Sequence, residues 1–487
     1  MNLRRVVSYK TPSTDVVIAA IFGVLGFVMG ARPLSDNSFF WHLRTGTWML
    51  DHGVVRSDPF SFTASGRQWT PVSWLAEVLY GTLFRGTLGA FGIRVLAGVV
   101  GAAVLGGMYL IAIHFSTDRL RAAVIPMVMV VGMEPMVNAR PVLLGLGLFA
   151  VLVVMVERPE TWVGRHARIV LPLLMWLWVN VHGSWLIGFG YLGVHVLGQW
   201  FSGAKPWDGR ERTLVTGVLC ALPLLFLNPY GYRLVVLPTQ LSVGGGFLRN
   251  VNEWRSPDFS THYGVAIMVW IALLLVGFFA ESGRAGEDRR LTGRDLLVAV
   301  VFLGLVLSAK RNMGVFYLAT APILARALIP APGERRRMAE IPAKVRIVCL
   351  FVIVAFAAFT VGMASGRDDF DFEAYPVKAM QYIEQHDLLG KRLAHSDFVG
   401  GYLILTRWPE QRVFIDDRYN YPSTFLWDYL RMKDGRSGWQ KALDRQRVEV
   451  VVWEHDAPLA SLLSASPRWR RVTRADDYDV FVRRSAS

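Results

Sequence analysis

Apolar residues in this chain come in blocks of about 17 to 25, the length a helix needs to cross a bilayer. Eleven spans are predicted, over residues 15–32, 88–114, 120–135, 141–157, 167–182, 184–201, 212–228, 263–280, 294–309, 313–330 and 345–365. Two polar interruptions are long: 33–87, and Asn228 to Tyr263. Within the first, 74–86 has the spacing of an amphipathic or partly inserted helix. From about Gly366 the pattern changes. EAYPVKAMQYIEQHD is amphipathic at helical period, while RLAHS, YLILT, RVFID, VEVVVWE and YDVFVRR have the look of short strands. The expected fold is a mainly α, polytopic membrane protein. Residues 1–365, including loop 33–87, form its transmembrane domain, and 366–487 form a small soluble α/β domain.

Composition agrees with the pattern. The chain is 53% hydrophobic and 18% charged, where soluble chains carry roughly 25% charge. Net charge is +14. The larger share of Lys and Arg falls in the N-terminus and in loops 115–120, 158–166, 202–211, 281–293 and 331–344, which places those loops inside. GRAGEDRRLTGR and GERRRMAEIPAKVR are the clearest cases. An odd number of spans then puts the C-terminal domain outside the cytoplasm. The basic residues sit in short separated loops, so nucleic acid is not an expected partner. Cys220 and Cys349 both lie in apolar runs, which argues against a disulfide or a cysteine metal site. MNLRRVVSYK leads into an apolar run with no small-residue cleavage site after it, so the first helix is read as uncleaved.

Loop 33–87 concentrates Asp36, His42, Arg44, Asp51, His52, Asp58 and Glu77 among Trp41, Trp48, Trp69 and Trp74. Such a loop suits a roof over a cavity at the membrane surface. Asp36 reads either as a general base or metal-linked acid, or as a helix cap or ion-pair partner of Arg44. Asp58 opens the turn Asp58-Pro59-Phe60-Ser61, an architectural position. Trp69 and Trp74 read as interface anchors, and Glu77 as an ion-pair partner or an acid. Polar residues recur at other outer span ends: Glu134, Asn138 and Arg140; His182 in NVHGSW; Arg233 after LNPYG; Glu253 in NEWRSPDF; and Lys310-Arg311-Asn312. Singly these are caps and snorkelling cations. Together they could line one polar cavity, with Arg and His suited to a phosphate headgroup and Glu253 as a second acid. No P-loop, GxSxG, HExxH or GxGxxG is present, so the sequence contains no nucleotide-site motif of its own.

WHLRTG after an acid, then DPFSFT, then WxPVSWLAEVL, with NVHGSW, LNPYG, NEWRSPDF and FIDDR further on, resembles bacterial polytopic proteins related to the C-type (GT-C) glycosyltransferase superfamily. The resemblance implies a sugar transferred on the outer face from a polyprenyl-phosphate donor to an envelope glycan, lipid or protein acceptor. It implies that Asp36 is the loop acid. It leaves a divalent metal open: members often show Asp-x-Asp before the Trp-His pair, and Ser38 here argues against a two-acid metal site. On this reading Asp36 and Glu253 are catalytic. His42, Arg44, Arg140, His182, Arg233 and Arg311 bind the lipid phosphate. Asp58, Trp69 and Trp74 shape the loop, and Asp416, Asp417 and Arg418 are structural. The rival readings are an inactive scaffold that binds a lipid-linked glycan within an envelope-assembly complex, and a transporter. No internal repeat supports the transporter.

Overall fold

A computed structural model describes residues 12–116, 118–243, 252–282, 291–328, 340–365, 368–418, 420–475 and 477–484. The N-terminal decapeptide and most of the two clearest basic loops, 283–290 and 333–339, lie outside the described residues. The chain is mainly helical, with one small sheet. It divides into two compact units.

The first unit comprises Met1–Arg32, Arg94–Leu227 and Arg249–Arg367. Each of the eleven expected spans contains a helix, from Thr14–Gly30 to Ala343–Ser365. Among the described residues, three helices are long and apolar enough to cross a membrane by length and composition: Gly89–Ser116, His262–Glu281 and Ala343–Met363. Ala343–Ser365 exposes large side chains such as Phe351 and Val354, as a helix bathed in lipid does. Packing elsewhere uses small residues. A Cβ at Gly26 would lie 2.3 Å from the Gly101 carbonyl oxygen, so helices Thr14–Gly30 and Gly89–Ser116 meet backbone to backbone.

The second unit comprises Pro33–Ile93, Asn228–Leu248 and Asp368–Ser487. Its sheet has the order β1-β2-β4-β3, with β1 Leu393–Ala394, β2 Val450–Glu454, β3 Trp469–Ala475 and β4 Tyr478–Arg483. β1 runs parallel to β2, and the other pairs are antiparallel. Val451, Trp453, Phe481, Phe414, Tyr429 and Leu463 belong to its core. YLILT, expected as a strand, is the end of the helix Asp397–Thr406. Short apolar runs do not separate strand from buried helix by periodicity, and here tertiary contacts decided. Gly401 lies so close to Asn37 that a Cβ would fall 2.0 Å from its carbonyl oxygen. RVFID forms no strand of the sheet, and β3 was not expected at all: its alternation is masked by Arg470, Arg471 and Arg474.

Loop 33–87 folds within this unit. It contains the helices Asn37–His52 and Trp74–Arg85, joined by a turn-rich segment. Leu34 bridges Phe370, and Ser61 bridges Val413. The two helices touch at glycines: a Cβ on Gly46 would lie 1.8 Å from the Glu77 carbonyl oxygen. Gly46→Ala is therefore expected to destabilise the unit by about 1–3 kcal/mol or more. A drop in the apparent melting temperature of the purified protein is the check, and an unchanged midpoint would refute the contact.

Candidate functional site

Each unit gathers part of the expected site. In the second, Asp36 caps the helix Asn37–His52, its Oδ1 accepting from the Phe39 N–H at 3.1 Å. The carboxylate is half-buried. Two residues on, Ser38 Oγ donates to Asp417 Oδ2, and Trp41 Nε1 donates to Asp417 Oδ1 at 2.6 Å. Where the sequence has a serine in place of a second acid, the fold brings the carboxylate of Asp417. Burial, then Asp36 and Asp417, push the Tyr375 phenol upward, so it remains a donor, to the Ser35 carbonyl at 2.7 Å. Asp417 was read as structural. Its signal was its place in FIDDR, which gave no hint that it would meet Ser38.

Around this lies a frame. His42 Nδ1 and Glu77 Oε1 stand 2.7 Å apart, both buried, and Glu77 Oε2 has no hydrogen-bond partner among the described residues. Burial raises the Glu77 carboxyl well above its usual range, with Arg418 opposing. Arg44 donates to the carbonyls of Ile404, Leu405 and Trp408 and so caps the helix Asp397–Thr406. Its guanidinium is engaged by backbone. Arg233 is exposed, against the Gln68 amide. Asp58 accepts from the Phe60 N–H at 2.9 Å and the Ser61 hydroxyl at 2.6 Å, organising the DPFSFT turn. Arg418 Nη1 reaches the same Asp58 at 3.1 Å, while its Nε and Nη2 take Asp416 at 2.8 and 2.6 Å. Arg418 also lies over the Trp69 and Phe60 rings. Burial works against the Arg418 charge, but Asp416 and Asp58 prevail and hold it as a cation. Trp69 is 7% exposed and belongs to this packing, not to a membrane interface. Trp74 opens its helix, half-buried.

In the first unit, four expected residues from four separate stretches meet. Arg140 grips Glu253 with both guanidinium nitrogens, Nη1 to Oε1 and Nη2 to Oε2. Arg311 lies over the Trp254 ring at 4.3 Å. Lys310 Nζ donates to Asn252 at 2.9 Å. Burial would raise the Glu253 carboxyl, but Arg140, Arg311 and Lys310 overcome it and hold the value at about 2. Glu253 is thus an ionised, weak base at neutral pH. His182 Nδ1 accepts from the Ser184 backbone N–H at 3.2 Å and faces the Ser184 hydroxyl at 2.8 Å. With Nδ1 accepting from the Ser184 N–H, a neutral ring bears its proton on Nε2.

A second charged cluster escaped the sequence reading. Arg294 and Arg326 both bind Glu157 and Asp295, at 2.6–3.1 Å, and Tyr191 donates to Glu157 at 3.0 Å. The signal was available: ionisable residues near the ends of apolar segments are costly unless paired. Among the described residues no three His, Cys, Asp or Glu side chains are placed to hold a metal ion. Both Asp417 oxygens accept hydrogen bonds, from Ser38 and Trp41.

The comparison with solved structures shows a shared fold. The chain is similar to the oligosaccharyltransferase AglB from Archaeoglobus fulgidus in complex with an inhibitory peptide and a dolichol-phosphate. That match has a TM-score of 0.52 and 13% identity, over 90% of this chain and 69% of that one. An Archaeoglobus fulgidus oligosaccharyltransferase tethered to an acceptor peptide matches with a TM-score of 0.52 and 14% identity, over 90% of this chain and 68% of that one. No protein-family profile and no curated protein matches the sequence.

Two outcomes follow from the second unit. Arg418→Met leaves Asp58 and Asp416 buried without their cation and should cost about 3–5 kcal/mol, read as loss of the folded fraction in urea. Because Glu77 has a raised folded value, the folded state holds a proton that the unfolded chain has released. Stability should therefore be greatest below the usual glutamate value of 4.5 and fall as pH rises above it, by up to about 1.4 kcal/mol per pH unit, until the folded value is passed. Glu77→Gln should flatten that slope between pH 5 and 8 in melting curves. An unchanged slope would mean that another group carries it.

Proposed function

We propose that this protein is a membrane glycosyltransferase that moves a sugar from a polyprenyl-phosphate donor to an envelope glycan, lipid or protein acceptor. The observation that carries the reading is the convergence of Arg140, His182, Glu253 and Arg311, from four span ends, in one half-buried cluster. Two guanidiniums beside one carboxylate, with an imidazole N–H, suit a phosphate oxygen. As the glycosyl bond breaks, negative charge grows on the leaving lipid phosphate, and Arg140 and Arg311 are fixed donors for it. Lys310 adds charge at the rim. Arg44 and His42 are assigned to the frame, and Arg233 to the surface. Glu253 enters as a counter-charge instead of a proton carrier.

Asp36 is our candidate for deprotonating or positioning the acceptor hydroxyl. Its carboxylate is half-buried beside Tyr375 and Asp417, in the loop position that the resemblance marks. All eleven apolar helices are taken to span an inner membrane, with the N-terminus cytoplasmic and the C-terminal α/β domain extracytoplasmic. AglB was solved with a dolichol-phosphate, which is the same chemistry of lipid. The rival is an inactive scaffold, and Ser38 in place of a second acid is the feature that favours it.

The test uses the purified protein in lipid nanodiscs with candidate polyprenyl-phosphate sugars. Asp36→Asn should lower turnover by about 10²-fold or more while lipid affinity stays within about twofold, and Arg140→Ala should weaken lipid binding itself. Turnover that survives Asp36→Asn would remove Asp36 from the chemistry. No turnover with any donor, with lipid binding intact, would favour the scaffold.

A further inference from the structure

In the first unit the helix Trp185–Phe201 runs into the loop 202–208, and the helix Gly209–Leu224 follows. A groove of about 500 Å³ opens there, lined by Trp200, Lys205, Pro206, Trp207 and Asp208. Small-molecule sites have volumes of roughly 300–1,000 Å³. The loop is tightly wound. The Gly203 N–H donates to the Trp200 carbonyl at 2.9 Å, and the Ala204 N–H to the Gln199 carbonyl at 3.0 Å. The Asp208 N–H donates to the Lys205 carbonyl at 3.1 Å, which closes a turn with Pro206 in its second position. Lys205 and Asp208 therefore stand at the two ends of one turn.

These opposite charges do not pair. Neither side chain has an ionic partner among the described residues, and Asp208 uses only Oδ1, which accepts from the Gly209 N–H at 2.8 Å and caps the next helix. Trp200 is 57% exposed and Trp207 70%. Trp200 stacks on the exposed Phe201, with ring centroids 5.9 Å apart and planes at 13°. Neither indole N–H has a hydrogen-bond partner among the described residues. The groove thus offers an ammonium, a carboxylate oxygen, two indole N–H donors and two aromatic faces, none of them committed elsewhere. Exposed tryptophans at the end of an apolar helix are suited to the boundary between lipid and water. A ligand at that boundary with both an anion and a cation to place is a zwitterionic phospholipid.

We propose that this groove binds the headgroup of a glycerophospholipid that carries a primary ammonium, of the phosphatidylethanolamine type. Its phosphodiester takes Lys205 Nζ and the indole N–H groups. Its ammonium donates to Asp208 Oδ2 and lies against the indole faces. A choline headgroup has no N–H for Asp208, and a glycerol headgroup has no cation. The inference takes from the reading above only that Trp185–Phe201 crosses the bilayer, and it is independent of the transferase chemistry.

The experiment follows stepwise binding of phosphatidylethanolamine, phosphatidylcholine and phosphatidylglycerol, each with the same acyl chains, to the delipidated full-length protein by native mass spectrometry. The first phosphatidylethanolamine should bind about tenfold more tightly than either other lipid, the value of one charge-assisted hydrogen bond. Asp208→Asn, which retains a capping side chain, should bring phosphatidylethanolamine down to the level of phosphatidylcholine and leave the latter unchanged. Lys205→Gln and Trp207→Ala should each weaken phosphatidylethanolamine, with an unchanged melting midpoint because both side chains are exposed. Equal binding of the three lipids by the wild type would overturn the proposal. So would a preference that survives both Asp208→Asn and Lys205→Gln, or equal weakening of all three lipids by Asp208→Asn. Tightest binding of phosphatidylglycerol, lost only in Lys205→Gln, would make this an anionic-lipid site and refute the zwitterion assignment.

Discussion

One buried cation organises the second unit. Arg418 is enclosed by the carboxylates of Asp58 and Asp416, with Trp69 and Phe60 against its planar face. A guanidinium so deeply buried is tolerable only because every side of it is matched. Since Asp58 also ties down the Phe60 and Ser61 amides, the same contact fixes the DPFSFT turn. The turn in turn lays residues 60–63 along 413–414, through the Val413–Phe60 and Phe62–Val413 backbone bonds. Loop 33–87 is thereby stitched to the C-terminal residues, and the helix capped by Asp36 is oriented by that joint. Its far side is fixed by Arg44, and its contact with the next helix by Gly46 and the His42–Glu77 pair.

The first unit solves a different problem. Its helices are apolar nearly all round, and their polar residues are confined to the ends. Among the groups in which they pair are one around Glu157 and Asp295 and one around Glu253. In the Glu157 group two guanidiniums meet two carboxylates, a balanced lock. In the Glu253 group Arg140 grips the carboxylate and Arg311 lies over the Trp254 ring.

Much was legible in the chain. The apolar blocks placed the helices to within a few residues, because length and period are local properties. Asp58 was legible as a turn former from its Pro and Ser neighbours. The grouping of Arg140, His182, Glu253 and Arg311 was legible only as a recurrence of polar residues at the outer ends. Other readings went astray where a side chain had two plausible partners. Arg44 looked like a phosphate ligand and instead caps a helix. Trp69 looked like an interface anchor and instead packs on Arg418. YLILT looked like a strand because so short an apolar run has no period.

By itself, then, the sequence determined the helices, their apolar character, and the set of polar residues spared from lipid, since these follow from neighbours along the chain. Tertiary structure alone decided which charge meets which. Asp58 and Arg418 are 360 positions apart and Ser38 and Asp417 are 379, and no local pattern encodes such a pair. Whether a carboxylate is a cap, a counter-ion or an acid depends on the dielectric and the charges around it, and those exist only once the chain has folded.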